Sequence, residues 1–111
     1  MTEFQIQKAV IENLKLRAAK GVVFFAVPGG GKRSLIEAVN FKRSGVLAGV
    51  SDLIFLHASK AYALELKAER GRPSEAQLEF LDNWRAAGGY GCVANGLDRA
   101  LAVLEAWGLI R

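Results

Sequence analysis

Two seven-residue apolar runs set only two residues apart constrain this chain most. Residues 52–58 (DLIFLHA) and 61–67 (AYALELK) flank Ser59-Lys60. So short a connection joins strands only as a hairpin, and the two runs are expected to pair antiparallel. Side chains alternate along a strand, so Leu53 and Phe55 point to one face while Ile54 and Leu56 point to the other. With both faces apolar, helices are required on both sides, which predicts a three-layer α/β domain.

The flanking segments supply those layers. Across residues 2–20 the apolar positions Phe4, Ile6, Val10, Ile11, Leu14 and Ala18 recur at helical spacing, opening at Thr2 and stopping before Gly21. Residues 21–27 (GVVFFAV) read as a buried strand ended by Pro28 and three glycines, after which Ser34 caps a helix to about Arg43. Ser74-Glu75-Ala76-Gln77 fits a capping box that starts a helix to Ala87. Gly88-Gly89 ends it, residues 90–94 form a short strand, and Asp98 is the expected cap of a last helix through Trp107. The predicted order is αβα, ββ, αβα, and at 111 residues the chain fits a single domain over 1–111.

No apolar run reaches the roughly 20 residues of a membrane span, and Met1-Thr2-Glu3-Phe4-Gln5 lacks the charged and apolar regions of a secretion signal. A cytoplasmic protein without membrane contact is expected. With one cysteine, Cys92, and one histidine, His57, neither an internal disulfide nor a zinc site of the usual ligands can be assembled. Fifteen Lys and Arg against eleven Asp and Glu leave a net charge of +4. The excess is concentrated in residues 15–43, where Glu37 is the lone acid among seven basic residues. Such a patch suits a polyanion, and equally a solvated basic surface.

Polar residues become informative at one end of the hairpin. Glu65 and Lys67 share a strand face, with Leu66 turned away. If Ser59-Lys60 is the loop, Asp52 lies across from Lys67 and diagonal to Glu65, on that same face; a three-residue loop would throw it to the other side. Two carboxylates and one ammonium at the end of an apolar surface leave a negative surplus that a divalent cation can neutralise, and all-oxygen ligands favour Mg²⁺ or Mn²⁺. A strand-end salt bridge accounts for the same spacing.

The ordered series Gly45-Val46-Leu47-Ala48-Gly49-Val50-Ser51-Asp52-Leu53, Glu65-Leu66-Lys67 and Ser74-Glu75-Ala76-Gln77 resembles the successive motifs of the VRR-NUC (virus-type replication-repair nuclease) family of the PD-(D/E)xK superfamily. The loop from Val27 to Ser34 resembles the segment that precedes them in small stand-alone phage members. The resemblance implies a restriction-endonuclease-like fold, a central mixed sheet with an antiparallel hairpin flanked by helices. It implies a metal-dependent DNA endonuclease in which Asp52, Glu65 and the Leu66 carbonyl hold Mg²⁺ or Mn²⁺ and Lys67 orients or activates the attacking water. Gln77 would help position the site, and Glu12 would match the acid that the superfamily carries on its first helix. The superfamily's usual proline before the aspartate is Ser51 here. The small stand-alone members imply a homodimer acting on branched DNA, plausible as a Holliday junction resolvase in a bacterial or phage-infected cell. The alternatives are a nuclease for flapped, nicked or single-stranded DNA and a non-catalytic nucleic-acid-binding module of the same fold.

Other signals read more simply. Pro28-Gly29-Gly30-Gly31-Lys32-Arg33-Ser34 lacks the spacing of a P-loop, which would need glycine at Ala26 and a hydroxyl residue at Arg33. Lys32 and Arg33, with Arg70 and Arg72 directly after the candidate strand, are expected to contact nucleic-acid phosphates. His57, Cys92, Trp84, Tyr90 and Trp107 read as packing residues. The last helix carries apolar residues beyond one stripe (Leu97, Ala100, Leu101, Val103, Leu104, Ala106, Trp107), which suggests self-association.

Overall fold

The computed structural model describes residues 1–28 and 34–111. Along the chain run α1 (Glu3–Arg17), β1 (Val23–Ala26), α2 (Leu35–Arg43), β2 (Leu53–His57), β3 (Lys60–Lys67), α3 (Glu75–Ala86), β4 (Tyr90–Asn95) and α4 (Leu97–Ala106). The strands form one mixed sheet in the order β1-β2-β3-β4. β2 pairs antiparallel with β1 and β3, and β3 pairs parallel with β4. A parallel pair needs a crossover, and α3 supplies it.

Helices pack on both faces of the sheet, as the two-sided apolar hairpin requires, although Val23, Phe25 and Leu56 at the β1 side stay more than half exposed. On one face α1 buries Ile6, Val10 and Leu14 at four-residue steps against Leu53, Phe55, Leu64 and Leu66, and α4 adds Ala100 and Leu104. On the other, Phe80 and Leu81 of α3 pack with Ala63, Ile54 and Val93. Each of the large fully buried side chains contributes about 1.5–3 kcal/mol over its exposed state. Two capping boxes, Thr2 with Gln5 and Ser74 with Gln77, fix the starts of α1 and α3. Among the described residues no helix is long and apolar enough to cross a membrane.

Three local expectations change. The strand expected to be buried over 21–27 is a four-residue strand at the sheet edge, with β2 its only strand partner among the described residues and Val23 and Phe25 more than half exposed. The hairpin turn is Ala58-Ser59, not Ser59-Lys60, since His57 pairs with Lys60. Ala58 and Ser59 take φ of 50° and 66°, the left-handed pair that a two-residue turn needs. The N-cap of α4 is Gly96, which offers no side-chain cap, so Asp98 lies inside the first turn rather than capping it. Of the apolar residues named at this helix, Ala100 and Leu104 are buried, Leu97, Leu101, Val103 and Trp107 pack partly against the same core, and Ala106 is exposed. The most exposed large apolar side chains lie on α1 (Phe4, Leu16) and on α2 (Leu35, Ile36), and α2 has no buried residue.

Candidate active site

Hairpin register assembles the site. Leu53 pairs with Leu64, so one step further Asp52 faces Glu65 rather than the expected Lys67. The turn moved without changing its length, so the register shifts by a whole pleat and Asp52 keeps its face beside Glu65 and Lys67. Its carboxylate then takes the place of a ladder carbonyl: Oδ2 accepts the Leu66 N–H at 2.7 Å. In a strand the N–H and C=O of one residue point to the same neighbour, so the Leu66 carbonyl opens toward the Asp52 side as well.

Glu65 is the buried centre, at 1% exposure. Its Oε2 accepts Gln77 Nε2 at 3.3 Å and lies 3.9 Å from Lys67 Nζ, while Oε1 is buried with no hydrogen-bond partner. Burial foremost, and then the adjacent Asp52 carboxylate, push the Glu65 carboxyl up to about 9; Lys67 opposes the rise and Glu3 adds to it. A carboxyl so placed holds its proton through the neutral range unless a cation takes the proton's place.

Gln77 is aimed from both ends of its amide. It is the third residue of α3, where its Oε1 accepts the Ser74 N–H at 2.8 Å, leaving Nε2 to face Glu65. The segment before Asp52 packs directly on that turn. Gly49 has φ of +80°, and a Cβ there would fall 2.3 Å from the Ala76 carbonyl oxygen. The glycine of the G-V-x-D segment is thus a spacing requirement between the hairpin and α3. Ser51, next to Asp52, is fully buried with its Oγ unpartnered.

The acid on the first helix is not the expected one. Glu12 is exposed and nine residues along α1 from Glu3, roughly 13 Å at helical rise. Glu3 itself lies 3.6 Å from Lys67 Nζ through Oε1. The Thr2 cap was a legible signal, because it puts Glu3 in the first turn of α1; which end of that helix reaches the hairpin was not.

A solved structure described as a VRR_NUC domain protein is 28% identical over 96% of this chain and 88% of its own, with a TM-score of 0.82. The fold is that of a VRR-NUC domain. A second, described as a VRR_NUC domain, superposes with a TM-score of 0.62 at 19% identity, covering 93% of this chain and 94% of its own, a likeness of fold alone. No family model matches the sequence, and no curated protein matches it. The VRR-NUC-type architecture is a nuclease-type fold, and the motif series that carried the resemblance converges within it: Asp52, Glu65, Lys67 and Gln77 meet at one end of the hairpin.

The VRR-NUC resemblance implies a divalent ion, and the residues present fit one. The unpartnered Glu65 Oε1, the facing Asp52 carboxylate and the Leu66 carbonyl make an all-oxygen donor set, to which Glu65 adds a second negative charge when it ionises. Among the described residues no three His, Cys, Asp or Glu side chains cluster for metal binding, so the set rests on two carboxylates and a backbone oxygen. Arg70 and Arg72 are exposed on the loop after β3. Lys32 and Arg33 lie outside the described residues. His57 Nε2 sits 3.2 Å from the Lys20 carbonyl, and burial pushes the half-buried Cys92 thiol up, against a lowering by Arg85, so neither is set up as a nucleophile. Tyr90 stacks on Tyr62, Trp107 lies tilted against the same ring, and Trp84 stacks on Phe80.

Proposed function

We propose that this VRR-NUC-type domain is an endodeoxyribonuclease dependent on Mg²⁺ or Mn²⁺ that hydrolyses phosphodiester bonds in branched DNA, with four-way junctions as the preferred substrate. The observation that carries the reading is the buried Glu65 carboxylate facing Asp52 with one oxygen left unpartnered, beside Lys67. Asp52, Glu65 and the Leu66 carbonyl would hold the ion, which when bound supplies Lewis-acid polarisation of the phosphate and stabilises charge in the transition state. Lys67 donates hydrogen bonds that orient the attacking water and offsets charge growing on the phosphate oxygens. Glu3 shares the ammonium of Lys67 and fixes where it points. Gln77 holds the Glu65 carboxylate in one rotamer.

A homodimer fits the substrate. A four-way junction has two-fold symmetry, so a pair of sites related by a C2 axis can nick opposing strands. The setting proposed is the cytoplasm of a bacterial or phage-infected cell. The test is cleavage of labelled linear, flapped and four-way DNAs with Mg²⁺, with Mn²⁺ and then with chelator. Metal-dependent nicks in the four-way DNA are expected. Binding of every DNA with no cut in any would leave a nucleic-acid-binding module in place of the enzyme.

A further inference from the structure

Beside the candidate active site, where the parallel strands β3 and β4 both end, lies a cavity of about 540 Å³ lined by Glu69, Arg70, Asn95, Gly96, Asp98 and Arg99, among others. In open sheets the crevice outside the carboxyl ends of parallel strands is the usual ligand position. Its wall is joined directly to the site, since Asn95 is the register partner of Lys67 and the Gly96 N–H donates to the Lys67 carbonyl at 2.9 Å.

The cavity is built rather than incidental. The Asn95 side-chain amide donates to the carbonyls of Ala68 and Gly71 at 2.9 and 2.8 Å, and so pins the loop that carries Arg70. Gly96 lets Glu69 lie close, since a Cβ there would meet its Cγ at 3.3 Å. Glu69 and Asp98 line the same space, yet neither forms a salt bridge with Arg70 or Arg99: among the described residues the ion pairs are Arg17–Glu105, Lys67–Glu3, Lys67–Glu65 and Arg85–Asp82. Two guanidinium groups, Arg70 from the loop after β3 and Arg99 from the first turn of α4, therefore line one cavity and neither is in an ion pair. Guanidinium is the side chain best matched to a tetrahedral phosphate, because its planar fork can bind two oxygens at once.

We propose that this cavity is a second phosphate subsite, in which Arg70 and Arg99 grip a phosphodiester of the same strand whose neighbouring linkage is presented to Glu65 and Lys67. The subsite rests on the nuclease reading for its purpose and deepens it: it sets which linkage of a bound strand reaches the acids. Arg70 is thereby a register residue rather than a general surface contact, and Arg99, on α4, joins it.

The test is binding of the full chain to a four-way DNA in chelator, with single neutral methylphosphonate linkages moved one position at a time along a strand. A loss of affinity of several-fold is expected at one position, and Arg70→Ala, Arg99→Ala and the double variant should abolish that penalty. The salt slope should fall by about 0.9 for each phosphate contact removed. Both arginines are on the surface, and unchanged thermal unfolding would confirm that the variants fold. A penalty that persists unchanged in the double variant, or no position-dependent penalty in the parent protein, overturns the subsite. Cleavage with metal is scored separately. A position-dependent penalty that the variants remove, in a protein that never cuts, would overturn the nuclease reading and keep the subsite; cutting with no such penalty would do the reverse.

Discussion

Replacing Glu65 by Gln should change how stability depends on pH before any question of activity arises. In the folded chain the Glu65 carboxyl is raised to about 9 from 4.5, so between those values the folded state holds a proton that the unfolded state has lost. Stability therefore falls as pH rises through this window, by about 1.4 kcal/mol per pH unit, and levels off above the folded value. From pH 5.5 to 7.5 the loss is about 3 kcal/mol, a large share of the 5–15 kcal/mol of a typical domain. Urea unfolding in chelator at the two pH values measures it: the midpoint should drop by about 1 M or more. Glu65→Gln carries no titrating group at this position, so its midpoint should vary much less, and the difference between the two proteins cancels every contribution that they share. Mg²⁺ or Mn²⁺ should restore more stability at pH 7.5 than at 5.5, because binding requires the ionised form. Equal pH dependence in both proteins, or a parent chain that grows more stable toward pH 7.5, would refute a Glu65 kept protonated by burial and Asp52.

Asp52→Asn and Glu65→Gln are each expected to reduce DNA cleavage to background while binding persists by mobility shift. Glu3→Gln should slow cleavage roughly tenfold or more, since 1.4 kcal/mol of misplaced Lys67 is enough for that, whereas Glu12→Gln should leave the rate within error. Gly49→Ala, which forces a Cβ onto the Ala76 carbonyl at positive φ, should cost about 1–3 kcal/mol from the strained backbone alone and lower the thermal midpoint by several degrees. Sedimentation at micromolar concentration should give twice the 12.0 kDa chain mass if the two-site arrangement is correct.

What could be read before the structure was known followed from local chemistry. Ser74 and Gln77 announced their helix because a capping box satisfies two backbone donors within four residues. The doubly apolar hairpin required helices on both sides, and α1 with α4 and α3 lie there. The face shared by Asp52, Glu65 and Lys67 survived a misplaced turn because parity depends on loop length, not loop position. The turn itself was hidden: Ala58 and Ser59 adopt left-handed φ with no Gly, Asn or Asp to signal it. Its cost, about 1–3 kcal/mol per residue, is carried by the strands on either side. Glu3 and Glu12 could not be ranked, since periodicity gives the face of a helix and not which end meets the sheet. The same limit applies to residues 21–27, whose composition is that of a central strand although their place is at the edge.

All the polar groups of the site except Glu3 come from residues 49–77, one hairpin and the helix turn that follows it. Contacts so close along the chain form quickly and need little from distant segments. The machinery is in effect a cassette set in a replaceable frame. Segments outside it, such as the α2 arm or the connection before β1, are free to lengthen, shorten or change partners over evolutionary time without drawing the two acids apart.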